Sequence, residues 1–217
     1  MSEACEQMLR EIEQEVQLTA NRTGCHRLRP AVVEALRRVP RERFVPPELA
    51  AQAYVNRPLP IGRNQTISQP YIVAIMTELI DPGPDDRVLE IGTGCGYQAA
   101  VLAEVVDTIY SIESIPELGE AAAERLAELG YDNIHVRIGN GRAGWPDAAP
   151  FDGILVTAGA EDVPAALIEQ LAPGGTLVIP VGAGRWGQQL RRVHKDAAGA
   201  VHSEDLLAVA FVPLTHG

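Results

Sequence analysis

The sequence predicts an α/β fold in which an N-terminal helical appendage precedes a doubly wound, mostly parallel sheet. Two observations predict it. From residue 87 onward, short apolar runs alternate with helix-length segments, which is the pattern of strands joined by crossover helices. Of the 217 residues, 46% are hydrophobic and 22% are charged, so a core of ordinary size can form. This length favours one core with an added segment over two complete domains.

Residues 1–80 are predicted to form the appendage and to contribute a substrate loop. Apolar side chains recur at helical spacing, and prolines stand where helices begin or stop. Helices are therefore predicted over residues 4–18, 31–38 and 70–80. Residues 44–60 are rich in proline and are predicted as loop or extended chain. The Asp-Pro-Gly-Pro break at residues 81–84 separates the appendage from the sheet.

Residues 81–217 are predicted to form the cofactor-binding core. Strands are predicted over residues 88–91, 108–113, 134–138, 151–157 and 176–181. Helices are predicted between them over residues 97–106, 116–129 and 164–171. Two further strands, 189–194 and 206–212, look like a final antiparallel pair. The result is a Rossmann-like sheet with helices on both faces.

Charge and cysteine content exclude several function classes. There are 29 acidic and 18 basic residues, a net charge of -11, which disfavours a nucleic-acid-binding face. The three cysteines are far apart and the histidines lack ligand spacing, so neither a disulfide framework nor a metal is predicted. The first residues lack a basic signal region, and no apolar run approaches the roughly 18 residues of a spanning helix. A cytoplasmic location is expected.

The glycine-rich turn after residues 88–91 is the strongest chemical signal. Gly92, Gly94 and Gly96 let the backbone turn sharply and approach a ligand, and the next helix offers free N–H groups. A dinucleotide fingerprint would need Gly or Ala at position 97, where Tyr97 stands. A plain strand-to-helix turn is the alternative interpretation. The spacing favours S-adenosylmethionine over a nicotinamide cofactor.

Glu113 ends the next predicted strand, 21 residues after Gly92. A carboxylate at this point can accept hydrogen bonds from both hydroxyls of a ribose, as it does in NAD enzymes. Glu113 therefore indicates a ribose without identifying the cofactor. Taken alone, Glu113 could be a solvated acid at a strand end. Its position after the glycine-rich turn makes that interpretation weaker.

Two stretches, LPIGRNQTISQPY at residues 59–71 and VLEIGTGCGYQ at residues 88–98, resemble the protein-L-isoaspartate O-methyltransferase family. The similarity covers most of the chain, from residue 39 to residue 214. The resemblance implies methyl transfer from S-adenosyl-L-methionine to the free α-carboxyl of L-isoaspartyl residues in damaged proteins and peptides, which is a repair reaction. The co-product would be S-adenosyl-L-homocysteine. A monomer is expected.

The resemblance also implies roles for individual residues. Ser68 would be the active-site serine. The substrate would contact Thr66, Ser68, Val212, Pro213 and Leu214. The cofactor would contact Gln65, Thr66, Ile67, Glu90, Gly92, Thr93, Gly94, Gly96, Glu113, Asn140, Gly141 and Thr215. Asn140 departs from the family pattern, which has Asp there, and the lost charge is expected to weaken adenine binding.

The chemistry of the acceptor fits this set of residues. A carboxylate with a pKa near 4 is already ionised at neutral pH, so it needs no general base. Ser68 is therefore interpreted as an orienting donor, although it could equally cap the helix beginning at Pro70. Two other functions stay open: methylation of an aspartate in one dedicated peptide, and a non-catalytic adenosyl-binding module.

Overall fold

The computed structural model describes residues 2–184 and 187–214. The helices are α1 (Glu3–Thr23), α2 (Pro30–Arg38), α3 (Pro70–Leu79), α4 (Tyr97–Ala103), α5 (Pro116–Glu128) and α6 (Ala165–Gln170). The strands are β1 (Leu59–Gly62), β2 (Gln65–Ile67), β3 (Arg87–Ile91), β4 (Thr108–Glu113), β5 (Ile134–Ile138), β6 (Phe151–Val156), β7 (Leu171–Val181), β8 (Gln188–Lys195) and β9 (Val201–Val209).

The main sheet confirms the predicted fold class. In the described residues it has seven strands in the order β5-β4-β3-β6-β7-β8-β9. Strands β3 to β7 pair in parallel, and β8 and β9 extend the sheet in antiparallel fashion. Along the chain, β4 pairs with one edge of β3 and β5 pairs with β4. The chain then crosses over, and β6 pairs with the other edge of β3. This reversal opens a crevice at the carboxyl end of β3, which is where sheets of this kind bind ligands.

Strand β3 is buried on both faces of the sheet. Val88 belongs to one hydrophobic cluster, whereas Leu89 and Ile91, at alternate positions of the same strand, belong to a second cluster. Successive side chains of a strand point to opposite faces, so the two clusters lie on opposite sides of the sheet. The cluster of Val88 also contains Met8 and Ile12 of α1. The N-terminal helices therefore share a core with the sheet.

The appendage differs from its sequence prediction in one respect that matters for function. Residues 59–67 form an antiparallel hairpin of β1 and β2, whereas strands were not predicted there. Its turn holds Arg63 and Asn64 with positive φ angles of 52° and 58°. Two consecutive left-handed residues suit a two-residue hairpin turn. A short 3-10 helix, Pro47–Gln52, also lies within the segment predicted as loop or extended chain, and three further 3-10 helices were not predicted: Arg41–Phe44, Gly141–Ala143 and Pro146–Ala148. Where the predicted helices and strands differ from the observed ones, they differ in the positions of their ends. None of the described helices has the length and apolarity to cross a bilayer.

Candidate active site

A cleft lies at the carboxyl end of β3, at the point where the strand order reverses. It encloses about 780 Å³ of empty space, part of it open to solvent. Its walls are the turn after β3, the end of β4, the residues after β6, the hairpin β1–β2 with Ser68, and residues 212–214. These five stretches, with Gly141 from the loop after β5, thus meet at one cavity.

The glycine turn forms one wall, and its first glycine cannot carry a side chain. Gly92 has a φ of 99°, and a Cβ built there would lie 2.4 Å from Oγ1 of Thr157. That hydroxyl donates to the carbonyls of Ile91 and Gly92, at 3.0 and 2.6 Å. The turn is therefore packed directly against the residue that follows β6. The absence of a side chain exposes the backbone to the cleft.

Glu113 connects the glycine turn to the end of β4. One carboxylate oxygen accepts a hydrogen bond from the Gly94 N–H at 2.7 Å, and the other accepts from the Ile115 N–H at 3.0 Å. The side chain is 6% exposed, yet it lines the cleft. Each oxygen keeps a further lone pair for a donor in the cleft. Glu113 can thus hold the turn and accept ligand hydroxyls together.

Glu90 lies behind the cleft wall and does not reach the cavity. Its side chain is 0% exposed and accepts a hydrogen bond from the Ser111 hydroxyl. Ser111 is in turn 2.6 Å from the Thr93 hydroxyl, and Thr93 lines the cleft. Burial raises the pKa of Glu90 to about 8, with a smaller contribution from the charge of Glu113, while the Ser111 hydrogen bond opposes the rise. Glu90 is therefore largely protonated at neutral pH.

The hairpin β1–β2 covers the opposite side of the cleft. Pro60 pairs with Thr66 in the hairpin, and Gln65, Thr66 and Ile67 all line the cavity. At the hairpin tip, Arg63 forms an ion pair of 3.0 Å with Glu117 in the first turn of α5. The hairpin therefore bridges the cleft and attaches to the element that follows Glu113.

Ser68 follows the hairpin and faces the cleft. Helix α3 begins after Gln69 as N-cap, and no side chain caps it. The Ser68 hydroxyl has no hydrogen-bond partner in the part of the chain that the structure describes. Its carbonyl accepts a bond of 2.6 Å from Nη2 of Arg41. The helix-capping interpretation of Ser68 is thus wrong for this structure, and the hydroxyl is available to a ligand.

Residues 212–214 close the cleft beside the residues that follow β6. The Val212 carbonyl accepts a bond from the Gly159 N–H at 2.8 Å, and the Leu214 N–H donates to the Gly159 carbonyl at 2.8 Å. Leu214 also lies close to Gly141, where a built Cβ would meet it at 3.7 Å. This segment is held by backbone bonds to the loop after β6, so it forms a fixed apolar wall.

Comparison with known proteins identifies the family. The model of the protein-L-isoaspartate(D-aspartate) O-methyltransferase family matches residues 13–217. The chain belongs to this family. A Syntrophobacter fumaroxidans relative, protein-L-isoaspartate O-methyltransferase 2, is 56% identical over 97% of this chain and 85% of its own length. A Polaromonas relative of the same name is 52% identical over 96% of this chain and 99% of its own.

Solved structures support the same fold assignment. One protein-L-isoaspartate O-methyltransferase structure aligns with a TM-score of 0.82 and 26% identity, covering 96% of this chain and 65% of that one. A Plasmodium falciparum structure named for the same activity, determined in complex with S-adenosyl-L-homocysteine, aligns with a TM-score of 0.79 and 22% identity. It covers 95% of this chain and 98% of that one.

The structure brings most of the residues implied by the family resemblance to one cleft. Those that line it are Gln65, Thr66, Ile67, Ser68, Gly92, Thr93, Gly94, Glu113, Gly141, Val212, Pro213 and Leu214. Thr215 lies outside the described residues. Glu90 is buried behind Thr93, as described above. Gly96 is the N-cap of α4 and packs against α5, where a Cβ would lie 3.2 Å from Leu126.

Asn140 also lies off the cleft lining. Its side-chain oxygen accepts a 3.0 Å hydrogen bond from the Arg142 N–H, which begins a short 3-10 turn at Gly141–Ala143. An amide oxygen can accept this bond from the backbone N–H, as a carboxylate oxygen would, although without the assistance of a charge. The Asn in place of the family Asp thus preserves the local turn that brings Gly141 to the cavity.

Sequence reasoning missed several residues of the cleft. Ile112 and Ile115 flank Glu113, and Thr157 and Ala158 follow β6. All four stand at the carboxyl ends of strands adjacent to β3, and this position is the signal that could have found them. Tyr97 contributes to the lining, but its ring is buried against Phe44 and does not block the cavity.

Proposed function

We propose that this protein transfers a methyl group from S-adenosyl-L-methionine to the free α-carboxyl of L-isoaspartyl residues in damaged proteins and peptides. The observation that carries the proposal is the single cleft in which the glycine turn and Glu113 face the Thr66 and Ser68 hydroxyls. Relatives that are 52% and 56% identical bear the name of this activity. The net charge of -11 supports protein or peptide acceptors over nucleic acids.

The residues present fit an adenosyl cofactor. The turn at residues 92–94 presents backbone without a side chain, and Glu113 offers two carboxylate oxygens beside it. Ile112, Ile115 and Leu214 provide apolar surface suited to a base, and Gly141 leaves room beside them. We infer that the turn holds the amino-acid part, Glu113 the ribose and the apolar residues the adenine. When bound, the cofactor would supply an electrophilic methyl group.

The acceptor side of the cleft needs to orient a carboxylate without neutralising it. The α-carboxyl of an isoaspartyl residue is ionised at neutral pH, so the site has no proton to remove. The Thr66 and Ser68 hydroxyls can donate hydrogen bonds to one carboxylate oxygen and leave the other free to attack. Enclosure by the hairpin and residues 212–214 would exclude water from this approach.

The deciding experiment measures transfer of labelled methyl groups to a synthetic peptide with one β-linked aspartate, beside its normally linked twin. The expected result is methylation of the β-linked peptide alone. Labelling of both peptides would indicate an enzyme for ordinary aspartate. Binding of S-adenosyl-L-homocysteine by calorimetry without any transfer would instead indicate a non-catalytic adenosyl-binding module.

Ser68→Ala tests the assigned residue within the same assay. We expect kcat to fall by roughly 10- to 100-fold, because the hydroxyl orients the acceptor, while the Kd for S-adenosyl-L-homocysteine changes little. Ser203→Ala, at an exposed position on β9, is the matched control and should keep the parental kcat. A Ser68→Ala enzyme as fast as the Ser203→Ala control would refute the role of Ser68.

A further inference from the structure

Arg41 is a fully buried cation that lies just behind the cleft. It begins the short 3-10 turn Arg41–Phe44 and is 0% exposed. Its Nε donates to the Ala53 carbonyl at 2.8 Å, and its Nη2 donates to the Ser68 carbonyl at 2.6 Å. The guanidinium carbon lies 4.5 Å from the centre of the Tyr97 ring.

Packing alone does not account for an arginine at this position. Burying a charge is costly unless hydrogen bonds or an opposite charge compensate it, and an apolar residue would fill the space without that cost. In the described part of the chain no carboxylate forms an ion pair with Arg41; its partners are two carbonyls and a ring. The planar guanidinium suits this combination, since its edge donates in two directions while its face stacks.

The partners of Arg41 connect the two halves of the cleft. Ser68 belongs to the acceptor side. Tyr97 is the first residue of α4 and directly follows the glycine turn on the cofactor side. Ser68 itself stands between the end of β2 at Ile67 and the N-cap of α3 at Gln69, so neither element includes it. The bond from Arg41 is the contact that fixes the Ser68 carbonyl.

We propose that Arg41 is a positioning residue that holds the Ser68 backbone against the start of α4 and thereby aims the Ser68 hydroxyl at the acceptor carboxylate. Arg41 does not line the cleft and so acts through Ser68. The inference rests on the proposed function, because it requires Ser68 to act on the acceptor.

Two substitutions separate positioning from bulk stability. Arg41→Lys keeps the charge but loses the planar fork, and Arg41→Met removes both the charge and the donors. Arg29→Lys is the matched control, because the Arg29 guanidinium also donates to backbone carbonyls, those of Pro82 and Glu78, at 3.0 and 3.2 Å. Arg29 lies outside the cleft lining. Thermal unfolding of each variant reports folding, and calorimetry gives the Kd for S-adenosyl-L-homocysteine.

The expected order of kcat is parent, then Arg41→Lys, then Arg41→Met. We expect Arg41→Lys to lose about tenfold in kcat, since small misplacements of an orienting group have effects of this size. The cofactor-product Kd should stay within about twofold, because the glycine turn is untouched. Arg29→Lys should keep the parental kcat. If Arg41→Met does not fold, the kcat of Arg41→Lys is compared with that of the parent alone.

A double-mutant cycle with Ser68→Ala decides whether Arg41 acts through Ser68. In the Ser68→Ala background, Arg41→Lys should change the residual kcat by less than about twofold, because there is no hydroxyl left to aim. Equal fold losses of kcat on Arg41→Lys in both backgrounds would overturn the proposal and leave Arg41 a structural residue. An Arg41→Lys enzyme with the parental kcat would overturn it as well. A parent that does not methylate the isoaspartyl peptide refutes the proposed function itself, and this inference with it.

Discussion

Glu90→Gln should change how the stability of this protein depends on pH. The folded protein buries Glu90 completely, and its pKa is raised to about 8 from an ordinary value of 4.5. The folded state therefore binds this proton more tightly than the unfolded chain does. The resulting stabilisation is fully present below about pH 4.5 and is lost as the pH rises through 8.

The size of the effect follows from the width of this window. One pKa unit corresponds to about 1.4 kcal/mol, so the loss across the window is a few kcal/mol and at most about 5 kcal/mol. Gln has nearly the same shape as protonated Glu, and its amide can still bond with the Ser111 hydroxyl. It does not titrate. The variant should therefore keep at pH 8 the stability that the parent loses.

Urea unfolding at pH 5, 6, 7 and 8 measures this difference directly. We expect the free energy of unfolding of Glu90→Gln, minus that of the parent, to rise by a few kcal/mol from pH 5 to pH 8. Glu48→Gln, at an exposed position, is the control and should follow the parent at every pH. Parallel profiles for Glu90→Gln and the parent would show that Glu90 is ionised in the folded protein, and the reasoning from burial would fail.

Three other substitutions address the cofactor side of the cleft. Gly92→Ala should abolish measurable binding of S-adenosyl-L-homocysteine, because the new Cβ would collide with Thr157. Gly130 has a similar φ but no atom near its Cβ position, so Gly130→Ala should cost only about 1 kcal/mol of stability. Glu113→Gln should raise the calorimetric Kd by at least about tenfold, since an amide NH₂ replaces an oxygen that now accepts a backbone N–H. Asn140→Asp should preserve or tighten binding; a clear weakening would show that the turn depends on the amide.

The sheet and the glycine turn were predictable because their causes are local. Strands such as β4 and β5 have the predicted bounds, since short apolar runs ended by turn residues need no distant partner to be recognised. Three glycines in five residues likewise predict a tight turn at residues 92–96, and all three have positive φ angles. These features follow from periodicity and from the conformational freedom of single residues.

The hairpin β1–β2 was not predictable by the same reasoning. Two prolines, Pro58 and Pro60, favour loop or extended chain, and the turn contains Arg63 and Asn64 in place of a common Asn-Gly pair. The pairing is held in place by contacts with distant elements. Ile61 lies against Gly94, and Arg63 pairs with Glu117. Local propensity carries no information about these contacts.

The orientation of individual side chains also escaped sequence reasoning. Glu90 lies two residues before Gly92, yet its side chain is fully buried, whereas Glu113 reaches the cleft from the end of the neighbouring strand. The sequence pattern assigns no role to Arg41, whose buried guanidinium donates to the carbonyl of Ser68, 27 residues away. Spacing identified the segments that meet at the site but not which of their atoms face it.

The position of Arg41 suggests how the cleft reconciles two opposing needs. A carboxylate acceptor has to be held firmly, and a cation is the strongest available donor. Direct contact with a cation, however, would withdraw charge from the oxygen that must attack the methyl group. Here the buried guanidinium bonds to the carbonyl of Ser68, and Ser68 itself lines the cavity. In the proposed mechanism the strong bond therefore fixes the protein backbone, and the neutral Ser68 hydroxyl is the group that would meet the substrate.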